Sequence, residues 1–193
     1  MGKKTGLFFG SFDPIHIGHL IIAEYMLNET DLQEIWFVVS PQNPHKINEK
    51  LSDKNTRLQM VDLSIAQQEF FISSAMEFDL PAPHYTYKTL LHAKKKYPGK
   101  EFVLIIGGDN LESFHRWKKH REIMEMVEIY AYPRRGFDQN QFEMSQQSLR
   151  WLEAPRIEIS SSYIREKISE KKTPGYMLHP EVLQFIQKNN LYT

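Results

Sequence analysis

The chain has 193 residues, 41% of them hydrophobic and 25% charged, enough for one substantial core and short for two independent ones. Lys plus Arg total 24 and Asp plus Glu total 24, so the formal net charge is zero, without the basic excess of a nucleic-acid or membrane-surface binder. The absence of cysteine excludes disulfide scaffolds, thiolate metal sites and cysteine nucleophiles. The opening MGKKTGLFFG has no signal-peptide pattern, and no window approaches the ~20 apolar residues of a membrane span. The default expectation is a cytoplasmic enzyme or binding domain over residues 1–193, with a homo-oligomer left open. Lys94 to Lys96 and Lys118-Lys119 are too short for a polyanion site and read as solvated helix faces or ends.

Apolar runs of strand length alternate with longer segments of helical period. Leu7 to Phe12 reads as a strand entering a turn, and Ile17 to Asn28 as a helix packed on a sheet. Ile35 to Val39 is a second buried strand, and Asn55-Thr56 is placed to cap a helix running to about Gln67. A weaker strand follows at Phe70 to Met76, then a helix from Thr86 to Tyr97 stopped by Pro98-Gly99. Phe102 to Ile106 is a strand, and Leu111 to Met126 is helical with a break near His120. Strands are expected at Val127 to Tyr132 and at Arg156 to Ile159, and helices at Ser161 to Glu170 and Glu181 to Lys188. Strands apolar throughout and separated by helices predict a Rossmann-like, doubly wound α/β fold, with a mainly parallel sheet covered by helices on both faces. Ligands of such sheets bind beyond the carboxyl ends of the strands. Gly10 to His19, Pro41 to Lys46, Gly107 to Asp109 and Pro133 to Gly136 fall at those ends. The Gln- and Asn-rich stretch Phe137 to Gln147 reads as a loop without an assigned role.

Two segments carry the chemistry. In GSFDPIHIGH, Gly10 to His19, Gly10 and Ser11 turn the backbone off the first strand and Pro14 stiffens the loop. His16, Gly18 and His19 then open a helix, whose unpaired N–H groups and partial positive charge suit phosphate. The two histidines, three positions apart, project on one side of that helix. They are also metal-ligand candidates, but no carboxylate shares their face at a convincing spacing. In ISSSYIR, Ile159 to Arg165, three serines open a second helix, with Arg165 one turn in as a cationic fork.

GSFDPIHIGH resembles the (H/T)xGH phosphate loop of the nucleotidyltransferase superfamily, and ISSSYIR its C-terminal ISSTxIR signature. PQNPHK (Pro41 to Lys46), HYTYKTL (His84 to Leu90), GGDNLESFHRWKKH (Gly107 to His120) and PRRG (Pro133 to Gly136) resemble segments of one family, the bacterial nicotinate-nucleotide adenylyltransferases. The closing GYMLHPEVLQFIQKNNLY resembles that family's last helix, so the likeness runs in order from Leu7 to Tyr192. Gly108, Ser162 and His84 depart from it, standing where Ala, Thr and Ser are usual.

The resemblance implies that nicotinate mononucleotide attacks the α-phosphate of ATP, giving deamido-NAD and pyrophosphate. It implies catalytic roles for His16, His19 and Arg165. ATP would meet Gly10, Ser11, Phe12, Gly18, Gly107, Asp109, Ser161 and Ser162. Nicotinate mononucleotide would meet Lys46, Thr86 and Trp117. Mg²⁺ is the expected cofactor, held mainly by phosphates, with Asp109 the protein candidate beside it. Histidines, Lys46, Arg165 and Mg²⁺ would share the charge of two polyanions. Trp117 also reads as a core aromatic, and Asp109 as a helix cap. The rivals are an enzyme for nicotinamide mononucleotide or phosphopantetheine, and a non-catalytic nucleotide sensor.

Overall fold

The computed structural model describes residues 3–42, 51–134 and 148–193. Along the chain run β1 (Lys3–Gly10), α1 (Ile17–Glu29), β2 (Glu34–Val39), α2 (Lys54–Ile65), β3 (Phe71–Ser74), α3 (Thr86–Lys96), β4 (Lys100–Gly107) and α4 (Gly108–Glu112). A 3₁₀ turn at Phe114–Arg116 leads to α5 (His120–Met126), β5 (Glu128–Tyr132), β6 (Leu149–Trp151), α6 (Ser161–Ser169) and α7 (Pro180–Lys188). The six strands make one sheet in the order β3-β2-β1-β4-β5-β6, and every neighbouring pair is parallel. The order reverses between β1 and β4, where doubly wound sheets open a crevice at their carboxyl edge.

The strands are apolar throughout because both faces are covered. Along β4, Val103 and Ile105 join one core with helices α1, α2, α6 and α7, through Ile22, Met60, Ile164 and Val182. Phe102, Leu104 and Ile106 join the other, with Leu90, Phe114 and Ile123 from the α3–α5 side. The two-residue period of a strand thus divides each run between two cores.

Some boundaries differ from the sequence expectation. Helix α2 is capped by Asp53, whose Oδ1 accepts from the N–H groups of Asn55 (2.9 Å) and Thr56 (3.3 Å), and it ends at Ile65 rather than Gln67. The expected helix Leu111 to Met126 is in three pieces. Leu111 and Phe114 are both buried, with Trp117 partly so, and that spacing of three is the 3₁₀ period. The break near His120 is present, with Lys119 in the left-handed region at φ 59°.

The sixth strand is a correction. It lies at Leu149–Trp151, paired with Ile129 to Ala131, and Arg156 to Ile159 forms no strand. The alternation of Arg156-Ile157-Glu158-Ile159 looks like a strand, but residues 149–151 already occupy that edge of β5. The later segment instead lies across the start of α1, with Ile157 against Gly18.

At the opposite end of the sheet, Glu34 is buried and accepts from Thr5 Oγ1 (2.8 Å) and Trp36 Nε1 (2.9 Å), and it pairs with Lys3 (2.8 Å) and Lys100. Burial raises its pKa, but the ammonium and hydroxyl partners win and hold it at about 2. A depressed carboxylate stabilises above its unfolded pKa, and that stability is lost as pH falls from about 4.5 through about 2. Glu34→Gln should therefore cost on the order of 2 kcal/mol at pH 7 and flatten the acid limb below pH 4.5. Urea unfolding from pH 7 to pH 2.5 tests this; parallel acid limbs would refute it.

Candidate active site

Beyond Gly10 the chain turns through Ser11 to Ile15 and enters α1 at His16. Phe12 takes a left-handed backbone (φ 48°), unusual for a bulky residue, while its ring is buried edge-on to Phe8 and His19. The rings of His16 and His19 stack at 3.7 Å between centroids, 26° from parallel. The His16 N–H donates to Nδ1 of His19 (3.2 Å), so a neutral His19 carries its proton on Nε2. Nδ1 of His16 is buried without a hydrogen-bond partner among the described residues.

Burial, then the nearby Arg134 charge, pulls the His16 pKa down to about 4. Burial, then His16 and Arg134, holds His19 well below its ordinary value. Both imidazoles are therefore neutral at pH 7. Gly18 makes the stacking possible: a Cβ there would lie 3.0 Å from both the His16 ring and Ile157. The glycine thus serves the histidine ring as well as any ligand.

The histidines line a cleft of about 450 Å³ at the carboxyl edge of the sheet. Gly10, Ser11, Phe12, Gly18 and Ser161 also line it, with Gly107 at the end of β4 and Asp109 just beyond it. Thr86, the first residue of α3, and Trp117 line the far part. A helix start leaves its first N–H groups without intrahelical acceptors. Asp109 lies in the first turn of α4 and makes no side-chain cap; it is 54% exposed, with Oδ1 3.8 Å from Arg134 Nε. Trp117 packs on Phe114 at 5.3 Å between ring centroids and also lines the cleft.

Two candidates are not in the cleft wall. Arg165 turns its Nη1 to the carbonyl of Asp13 (2.7 Å) and its Nη2 to Ser162 Oγ (3.3 Å), and Ser162 is exposed. Ser160, rather than its neighbours, caps α6 by accepting from the Tyr163 N–H (3.2 Å), while Ser161 donates to the Pro14 carbonyl (2.9 Å). Lys46 and the loop at 137–147 lie outside the described residues.

Arg134, in the PRRG segment, is a cleft cation to which the sequence motifs gave no role. It lines the cleft between Asp109 and the histidines and lowers the pKa of both imidazoles. Gly107 admits it, since a Cβ there would meet Arg134 Cγ at 2.8 Å and Asp109 Oδ1 at 2.5 Å. Glu77 is also buried in the wall, accepting from Thr89 Oγ1 (2.6 Å), with its pKa raised by burial. Nothing in the sequence around Glu77 marked it.

A family model described as cytidylyltransferase-like matches residues 7–167. A probable nicotinate-nucleotide adenylyltransferase of Christiangramia forsetii is 47% identical over 194 residues, covering all of both chains. The chain belongs to the nicotinate-nucleotide adenylyltransferase family. A second relative so named, from Cytophaga hutchinsonii, is 45% identical over 98% of each chain. Among solved structures, a Plasmodium falciparum nicotinic acid mononucleotide adenylyltransferase complexed with NaAD aligns at a TM-score of 0.82, over 98% of this chain and 97% of that one. At 21% identity that likeness carries the fold, and it agrees with the doubly wound sheet. The motif resemblance from Leu7 to Tyr192 thus belongs to this family along its whole length.

Proposed function

We propose that the chain transfers the adenylyl group of ATP to nicotinate mononucleotide, forming deamido-NAD and pyrophosphate in NAD biosynthesis. The observation that carries this reading is a pair of stacked, neutral histidines at the start of α1, facing one cleft with the start of α3. The acceptor's phosphate oxygen bonds to the α-phosphorus as the bond to the β-phosphate oxygen breaks, so the enzyme needs no nucleophile of its own. Its task is to hold two anions in line and stabilise the developing charge. Nε2–H of His19 is a preset donor, and the His16 ring stacked on it lines the same cleft. Arg134 adds the fixed positive charge. In this reading Arg165 and Ser161 act by holding the loop before His16, with Ser162 steadying the guanidinium.

At the acceptor end, unpaired N–H groups where α3 begins at Thr86 suit a carboxylate, and Trp117 offers a face for the pyridine ring. This favours the nicotinate form over the amide. Among the described residues no group of three or more His, Asp or Glu is placed to hold a metal ion. The donor set, with half-exposed Asp109 beside the cleft, fits Mg²⁺ carried on the triphosphate, where it would neutralise charge on the departing pyrophosphate. No described helix is long and apolar enough to cross a membrane, and the reading places a single-domain enzyme in the cytoplasm. Pyrophosphate release from ATP and Mg²⁺ should occur with nicotinate mononucleotide and be far slower with nicotinamide mononucleotide or phosphopantetheine. Equal rates with the two pyridine mononucleotides would sink the selectivity. ATP binding without release for any acceptor would leave a nucleotide sensor.

A further inference from the structure

The loop that delivers His16 is held from outside at successive positions. Arg165 and Ser161 of α6 bond the carbonyls of Asp13 and Pro14. The side chain of Asp13 is buried, and both of its oxygens are engaged: Oδ2 accepts from the Ser52 N–H (3.1 Å) and Oδ1 from the hydroxyl of Tyr192 (2.5 Å). A short O–H···O bond to a carboxylate is among the stronger hydrogen bonds. Tyr192 reaches it because the chain after α7 doubles back. The Leu191 N–H bonds the Ile186 carbonyl (3.1 Å), and both Asn190 (φ 50°) and Tyr192 (φ 65°) take left-handed backbones. For tyrosine that conformation is unfavourable and persists only where surrounding contacts over-determine it.

We propose that Tyr192 is a positioning residue for adenylyl transfer: its hydroxyl fixes the Asp13 carboxylate, and through the three residues that follow it fixes where the His16 ring meets phosphate. This rests on the reading of the cleft as an adenylyl-transfer site. Burial and the Asp13 charge both raise the Tyr192 pKa, so the phenol stays the donor throughout the working range. Freeing the hydroxyl's anchor lets the loop drift by fractions of an ångström, and a misplacement of about 1 Å can cost 10²-fold in rate.

Tyr192→Phe should lower kcat about 10-fold, with KM for nicotinate mononucleotide within about twofold of wild type. Tyr176→Phe, on a fully exposed ring, should change neither. Because Tyr192 acts through His16, adding Tyr192→Phe to His16→Ala should cost less than about twofold more. In ring ¹H–¹⁵N spectra the resonances of His16 and His19 should move, while those of His92 and His115 stay. Asp13→Asn, which keeps the shape and loses the charge, should reproduce the same pattern and serves if Tyr192→Phe folds poorly. Unmoved histidine resonances, an unchanged kcat, or a full 10-fold loss persisting on the His16→Ala background would each overturn the proposal. If the wild-type chain releases no pyrophosphate with any acceptor, the functional reading fails separately, and the ring spectra alone decide whether Tyr192 holds the loop.

Discussion

His16→Ala is expected to lower turnover at least about 10²-fold while leaving the fold intact, the loss typical of deleting one charge-stabilising donor. The fold should survive because the loop before the ring is anchored elsewhere, Arg165 donating to the Asp13 carbonyl and Ser161 to that of Pro14. The backbone N–H that bonds His19 remains in the variant, so the second imidazole keeps its tautomer. Stability against pH gives a second readout. The folded pKa of His16 is about 4 against 6.5 unfolded, so between those values the unfolded state binds the extra proton. Wild-type stability therefore falls as pH drops through that window, by about 3 kcal/mol at most from this residue. His16→Ala should show a shallower loss from pH 6.5 to 4, with His19 and, below about pH 4.5, Glu34 contributing to the slope that remains. Steady-state kinetics and urea unfolding across that range measure both effects. A near-normal rate would remove His16 from the mechanism.

The fold was legible in the sequence where burial is two-sided. Runs such as Ile35 to Val39 and Phe102 to Ile106 are apolar at every position, and only a covered parallel sheet explains that spacing between helices. The phosphate loop was legible because its chemistry is local: strand, Gly-Ser turn, and two histidines at the start of one helix. What stayed hidden depends on tertiary neighbours. Residues Leu149–Trp151 form a strand of mixed polarity that pairs only because the edge of β5 is open to it. Arg165 looked like a phosphate fork, but the carbonyl of Asp13, 152 residues away in sequence, takes one of its N–H groups. The neutrality of the two histidines follows from burial and from Arg134, neither of which their own motif contains.

Arg57 illustrates the same point with the largest expected effect on stability. It is fully buried, with burial lowering its pKa and the Asp13 charge opposing that. Its Nε donates to the Ser52 carbonyl (2.9 Å), Nη1 to those of Ser11 and Ser40 (2.7 Å each), and Nη2 to Pro41 (2.9 Å). Ser11 and Ser40 follow Gly10 and Val39, which pair across β1 and β2, so one guanidinium clamps the two chains as they leave the sheet. Arg57→Ala would strand those carbonyls and leave Asp13 without its nearby cation. The expected cost is about 3–5 kcal/mol, as for breaking a buried charged network, or a fall in Tm of roughly 6–20 °C for a chain of this size. Lysine carries the charge but not the planar fork, so it can serve one or two of the four carbonyls. Arg57→Lys should accordingly fall most of the way toward Arg57→Ala in urea unfolding at pH 7. If lysine instead restores wild-type stability, positive charge beside Asp13 is what the site requires and the four-carbonyl clamp is incidental. If alanine costs less than about 1 kcal/mol, water replaces the guanidinium freely and the clamp does not hold the two loops together.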